Sequence, residues 1–172
     1  MKKQEDDVHV KTVLEYLVMI NRQSYSGIGR ELNITPQQFS DWIKKRRPVP
    51  HERLKALAAY FSVPETVLVD PQQFAKALTP AAKIDLHLLL LDQKIAGLES
   101  EGADAEDISP YQEKKRQLQQ ERLNQVRLTR MAALLERGEA RTAEVVDHVL
   151  DELEAGHSVE LYAKLQEGRQ KS

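Results

Sequence analysis

The sequence predicts an all-α protein, and three observations carry that reading. Apolar residues recur at three- and four-residue intervals along most of the chain. No segment of four or more residues alternates apolar and polar positions with β-branched enrichment, as a half-buried strand would. Proline and glycine mark the ends of periodic segments, as at Pro36, Pro64, Gly138 and Gly156.

The first helix is expected over roughly 8–22, where Val10, Val13, Leu14, Leu17 and Val18 form one apolar stripe. The stretch IGRELNITPQQFSDWIKKRR (28–47) then holds two helical patterns with a break between them. Asn33 lies at the break, and Asn tolerates the left-handed conformation that such breaks use. Thr35 can cap the next helix, with Pro36 at its first position. Within this corner Ile28, Leu32, Ile34, Phe39 and Trp42 are positioned to share one small core. Gly29 lies where the two helices must approach closely. A fourth helix follows Pro48-Val49-Pro50 and carries Leu54, Leu57, Ala58 and Phe61. A fifth, short one begins at Pro64 with Val67 and Leu68.

Pro71 and Pro80 bracket a linker, 71–80, and divide the chain into a domain over 1–70 and a helical region over 81–172. From Ala81 to about Ser100, Ile84, Leu88, Leu91, Ile95 and Leu98 follow four-three spacing, a heptad seam suited to a coiled-coil oligomer or a helical hairpin. The acidic stretch 102–110 reads as a turn, followed by a long helix over 111–137 that Gly138 ends. Thr142 can cap a further helix with Val145, Val146, Val149, Leu150 and Leu153 on one face. Gly156 ends it, and a short helix over 159–167 completes the pattern.

Composition narrows the function. With no cysteine, disulfides and thiolate metal sites are excluded, and a cytoplasmic setting is expected. The five histidines lack the paired spacing of a metal site, so no metal or cofactor is expected. No apolar run approaches the ~20 residues needed to span a bilayer, and no basic start followed by an apolar stretch suggests a signal peptide. No phosphate loop, activated nucleophile or paired-carboxylate arrangement points to an enzyme, and no pocket for a small-molecule ligand is evident. The net charge of −2 hides an asymmetry: residues 1–70 carry +2 and residues 71–172 carry −4. The consecutive Lys44, Lys45, Arg46 and Arg47 suggest one focused anionic partner.

The corner and its flanking helices resemble the helix-turn-helix of the Cro/repressor type, the xenobiotic-response-element family. The resemblance covers roughly 8–70, and ERLKALAAYFSVPETVL looks like that family's closing helices. That family often has Ala where Gly29 stands and Gly where Asn33 stands, and both exchanges are expected to be tolerated. The resemblance implies a DNA-binding protein of a bacterium or a phage-infected host. It places the second helix of the corner in the major groove of double-stranded DNA. The base-reading candidates are then Thr35, Pro36, Gln37, Gln38 and Asp41. A glutamine amide pairs with adenine, and a carboxylate can accept from cytosine. Lys44, Lys45, Arg46 and Arg47, with Tyr25 and Ser26 at the start of the first corner helix, are the phosphate-binding candidates. Against this stand plainer readings: solvated glutamines, a solvated basic run, and Trp42 as core.

Three readings follow. The first is a sequence-specific transcriptional regulator, repressor-like, that self-associates as a dimer or higher oligomer. The alternative rests on RLTRMAALLERGEARTAEVVDHVLDEL (127–153), which loosely resembles the helical region of phage small terminase subunits. Those join a helix-turn-helix to an oligomerising part and present viral DNA for packaging. A module that binds only protein is the third possibility. Residues 112–141 hold eight Lys/Arg and four Glu, so antiparallel packing on the acidic 81–100 helix would match charge.

Overall fold

A computed structural model describes residues 10–170, with side chains to 168. Val8 and His9, at the expected start of the first helix, lie outside the described residues. The described chain is all-helical, with no strand and only two isolated bridges, Thr12 to Ala77 and Val69 to Ala75. The elements are α1 (Val13–Ile20), α2 (Tyr25–Leu32), α3 (Pro36–Ile43), α4 (His51–Phe61), α5 (Glu65–Leu68), α6 (Pro80–Ser100), α7 (Ala105–Leu135), α8 (Ala140–Glu154) and α9 (Ser158–Gln170).

α1 starts later than its apolar stripe suggests, because Thr12 stops it. The Thr12 hydroxyl accepts from the Glu15 amide, and the Glu15 carboxylate accepts from the Thr12 amide at 2.9 Å. This reciprocal capping box satisfies helix-end donors that would otherwise need water. Val10 therefore lies before the helix, half-buried.

The corner between α2 and α3 forms as its residues dictate. Asn33 adopts φ 54°, ψ 48°, and the Ile34 amide donates to the Gly29 carbonyl at 2.8 Å. Thr35 caps α3 in a second capping box with Gln38, and Pro36 opens the helix. Ile28, Ile34, Phe39 and Trp42 are buried and Leu32 is half-buried. The Phe39 ring lies 5.3 Å from Tyr25 and 5.7 Å edge-on from Trp42, centroid to centroid. At Gly29, a Cβ would run into the Ile34 carbonyl oxygen, with Phe39 Cε2 at 3.9 Å. The Ala that the resembled family often carries is therefore strained in this corner.

The chain divides between Arg122 and Leu123 rather than at 71–80. The stretch expected as a linker is stitched to the first five helices. The Val13 amide donates to the Lys76 carbonyl, the Leu78 amide to that of Lys11 and the Val49 amide to that of Gln73. Ala75 is wholly buried. Asp70 organises the turn by accepting from the Gln72 and Phe74 amides at 2.9 and 3.0 Å. The two prolines misled because they punctuate local helices, whereas a backbone laid against a core is held by partners distant in sequence.

α6 then joins the core, with Leu86 only 1% exposed and Ala82, Leu89 and Leu90 packed against the same cluster. α7 begins six residues before the expected start. Ile108 is buried in its first turns, which anchors the helix there. Pro110 lies within the helix. It forgoes one hydrogen bond, to the carbonyl of Glu106, an exposed residue where water can serve. α8 starts before Thr142, whose hydroxyl donates to the Glu139 carboxylate from inside the first turn instead of capping it.

The crowding at Gly29 yields an internal control. Gly29→Ala should cost about 1–3 kcal/mol, the usual range for forcing atoms into a packed site. Gly97→Ala, in the last turn of α6 with nothing within 4 Å, should stabilise by roughly 0.5–1 kcal/mol, the helix preference of Ala over Gly. Urea unfolding of both variants checks this; equal effects would show that residue 29 is not crowded.

Candidate functional site

The N-terminal end of α3 is exposed, while its C-terminal half is pinned through Phe39 and Trp42. Thr35, Pro36 and Gln37 are exposed; Gln38 and Asp41 are half-buried. The two glutamines have different jobs. Gln38 turns its Oε1 back to accept from the Thr35 amide at 2.9 Å. Gln37 donates from Nε2 to Asp41 Oδ1 at 2.9 Å. Gln38 is therefore a helix cap whose acceptor is engaged, while Gln37 is the exposed amide at the head of the helix. Thr35 likewise uses its hydroxyl on the Gln38 amide at 3.2 Å.

The basic run does not continue the line of α3. Lys45 has φ 53°, which turns the chain after the helix, and the Arg46 amide donates to the Asp41 carbonyl at 2.8 Å. The turn brings Arg46 Nη1 to 3.7 Å and Arg47 Nε to 3.9 Å from the Asp41 carboxylate. Asp41, with its side chain 15% exposed, thus gathers Gln37, Arg46 and Arg47. Such surface pairs are worth only about 0–1 kcal/mol, so either guanidinium can be released to another anion. Lys44 and Lys45 form no ion pair among the described residues, and together with Lys11 they line a groove of about 450 Å³ beside Thr12 and Glu15. Lys11 is a cation that the linear sequence does not connect with the run; it arrives because α1 packs beside the end of α3.

Tyr25 and Ser26 stand at the start of α2, which Ser24 caps by accepting from the Gly27 amide at 3.0 Å. The sequence signal for Ser24 was a serine just before the helix, and for Thr12 it was the Thr-x-x-Glu box. Ser26 is exposed, its hydroxyl 3.3 Å from that of Ser24. Tyr25 is half-buried on Phe39. Burial, then the nearby Glu15 carboxylate, push its phenol up to about 12, so it stays a neutral donor. Arg53 fastens α4 to this corner by donating to the Leu32 carbonyl at 2.7 Å.

The heptad seam of α6 is largely covered within the chain. Ile84 is buried, and Leu88, Leu91, Ile95 and Leu98 are half-buried. α7 returns antiparallel beside α6. Arg122 grips Asp85 with two bonds of 2.6 and 3.2 Å, Lys115 meets Asp92 at 2.6 Å, and Lys94 lies 5.9 Å over the Tyr111 ring. The exposed apolar surface lies elsewhere. No described residue from 123 to 168 is buried. Twelve large apolar side chains there are exposed, from Met131 at 39% to Val159 at 76%.

Among the described residues no cluster of His, Asp and Glu could hold a metal ion, and no helix is long and apolar enough to cross a membrane. No family model, curated protein or solved structure matches the chain.

The division of labour at the head of α3 is measurable as stability. Gln38→Ala should cost about 0.5–1 kcal/mol, as removing part of a capping box does. Gln37→Ala should stay within about 0.5 kcal/mol, as an exposed substitution. Chemical denaturation of both variants distinguishes them, and a larger loss in Gln37→Ala would reverse the assignment.

Proposed function

We propose that the chain is a double-stranded DNA-binding protein of the Cro/repressor helix-turn-helix type, acting as an oligomeric, sequence-specific transcriptional regulator. The observation that carries this is the exposed, N-capped head of α3, held rigidly by Phe39 and Trp42 and followed by four exposed cations. A short helix with a polar N-terminus fits the major groove, and its base contacts come from its first residues. Gln37 is the principal reader. Thr35 and Pro36 fit against the groove wall, and Gln38 contributes only the amide left free by its capping bond. Asp41 acts on bases less than on its neighbours: it orients Gln37 and holds Arg46 and Arg47 until phosphates replace it. Lys44, Lys45, Arg46 and Arg47 supply phosphate contacts, with Ser26 and the Tyr25 hydroxyl at the start of α2.

Self-association is assigned to 123–168 rather than to the α6 seam. A segment without a single buried residue has no core of its own, and apolar faces of this extent mark contact sites. One charge pattern favours the second reading, a phage small terminase subunit. Residues 123–141 hold four Arg and two Glu, whereas 142–168 hold one Lys and seven Asp or Glu. A basic apolar segment and an acidic apolar segment on one chain suit head-to-tail contact, which gives a ring where the rotation between copies closes. Self-complementary dimers suit a regulator.

Two experiments test these readings. Duplexes selected from a random pool, and random duplexes, are titrated with salt. Lys45→Gln or Arg46→Gln should weaken both and lower the slope of log affinity against log salt by about 0.9 for each phosphate no longer neutralised. Gln37→Ala should keep the slope and cost about 1–3 kcal/mol on the selected duplex alone. Absence of binding to any duplex at low salt refutes the DNA reading. Light scattering then gives the assembly: a dimer supports the regulator, a ring of many copies supports packaging. Leu128→Ser with Leu135→Ser should dissociate it, whereas Leu88→Ser with Leu91→Ser should lower thermal stability and leave the mass of the assembly unchanged. The converse pattern returns the contact to the α6 seam.

A further inference from the structure

A groove of about 500 Å³ opens between α6 and α7 at the foot of the hairpin. Its floor is apolar, made by Leu78, Ile84 and Leu118, of which Ile84 and Leu118 are buried. Its polar side carries Lys83, His87 and Lys114. Neither lysine has an ion-pair partner among the described residues; Lys83 Nζ instead sits 5.2 Å from the centre of the Tyr16 ring. His87 Nε2 lies 2.7 Å from the Tyr16 hydroxyl, which ties the groove to α1. Burial first, then the positive charges of Lys83 and Lys114, hold His87 below the usual histidine range. Both ammoniums therefore act on the same spot, and the field inside the groove is positive. Glu121 at the border is its one carboxylate.

Two cations that both act on His87, above an apolar floor, define a ligand with a charged head and a greasy body. The volume is that of a small-molecule site, within the ~300–1,000 Å³ typical of such clefts. Glu121 repels the second charge of a dianion, and lysines exclude a metal ion. We infer that the α6–α7 groove binds a small monocarboxylate with an aromatic or aliphatic body, its head between Lys83 and Lys114 and its body on Ile84 and Leu118. The bound carboxylate offsets the two positive charges that add to burial in holding His87 below the usual histidine range, and it braces the hairpin against α1 through the Tyr16–His87 contact. This inference does not depend on the DNA reading.

The test uses the full chain with sodium benzoate as probe, followed by calorimetry and by the His87 imidazole resonance across pH. Saturable binding is expected, together with an upward move of the His87 titration midpoint. The Lys83→Gln, Lys114→Gln double variant removes two charges without removing any buried apolar group and should fold as the parent does, which circular dichroism checks. It should bind benzoate at least tenfold more weakly. Benzyl alcohol, with the same body and no charge, and inorganic phosphate, with charge and no body, should each bind at least tenfold more weakly than benzoate. Non-saturable benzoate binding, an unmoved His87 midpoint, or equal affinity of the folded double variant overturns the inference. So does benzyl alcohol or phosphate matching benzoate, since the groove would then select only for grease or only for charge.

Discussion

The close approach at Gly29 is the constraint on which the corner depends. Because residue 29 has no side chain, the backbone of Ile34 can lie against α2 and the Phe39 ring can reach the same spot. That seats Phe39 between Tyr25 and Trp42 and fixes how α3 leaves the corner. The exposed head of α3 is then oriented by buried aromatic rings and two hydrogen-bonded caps rather than by its own weak helix preference. A helix of this length is marginal by itself in water. Its rigidity rests on that packing.

The same economy appears in α6. One helix serves two partners: Leu86 and its neighbours close the core built by the first five helices, while the seam through Ile84 faces α7. A helix apolar around most of its circumference is one that is covered from more than one side. The run Leu88–Leu91 carries that information, but a heptad count registers only the face it is looking for. Once the hairpin covers the seam, the apolar surface that remains unmatched is the one beyond Arg122, where Gln and Arg interrupt the periodicity.

Charge is arranged in the same layered way. Asp41 lies in sequence between a glutamine four residues before it and the arginines that follow. A left-handed turn at Lys45 folds those arginines back onto it. The cations of the run are thereby unequal, two held loosely by a carboxylate and two beside Lys11 without an ion pair among the described residues. For a chain that engages a polyanion this keeps part of the positive charge in reserve until a stronger acceptor arrives, which is consistent with the proposed function.

The features legible along the chain are local ones. Asn33 at the break, Thr35 and Pro36 opening α3, the burial of Phe39 and Trp42, and glycines at φ +68° and +83° closing α7 and α8 all follow from short-range sterics and from donors needing acceptors within a few residues. The Thr12–Glu15 box is equally local, and it sets the start of α1 where the apolar stripe alone does not. Everything whose partner is far along the chain was set by packing instead. Packing laid 71–80 on the core through backbone bonds to Lys11, Val13, Val49 and Leu68. It engaged Asp85 with Arg122, brought Lys11 beside Lys44, and set Tyr16 on His87 between two lysines. Spacing in sequence predicts which residues share a helix face; which face meets which is settled only when the helices compete for the same limited core, and there burial outweighs local punctuation.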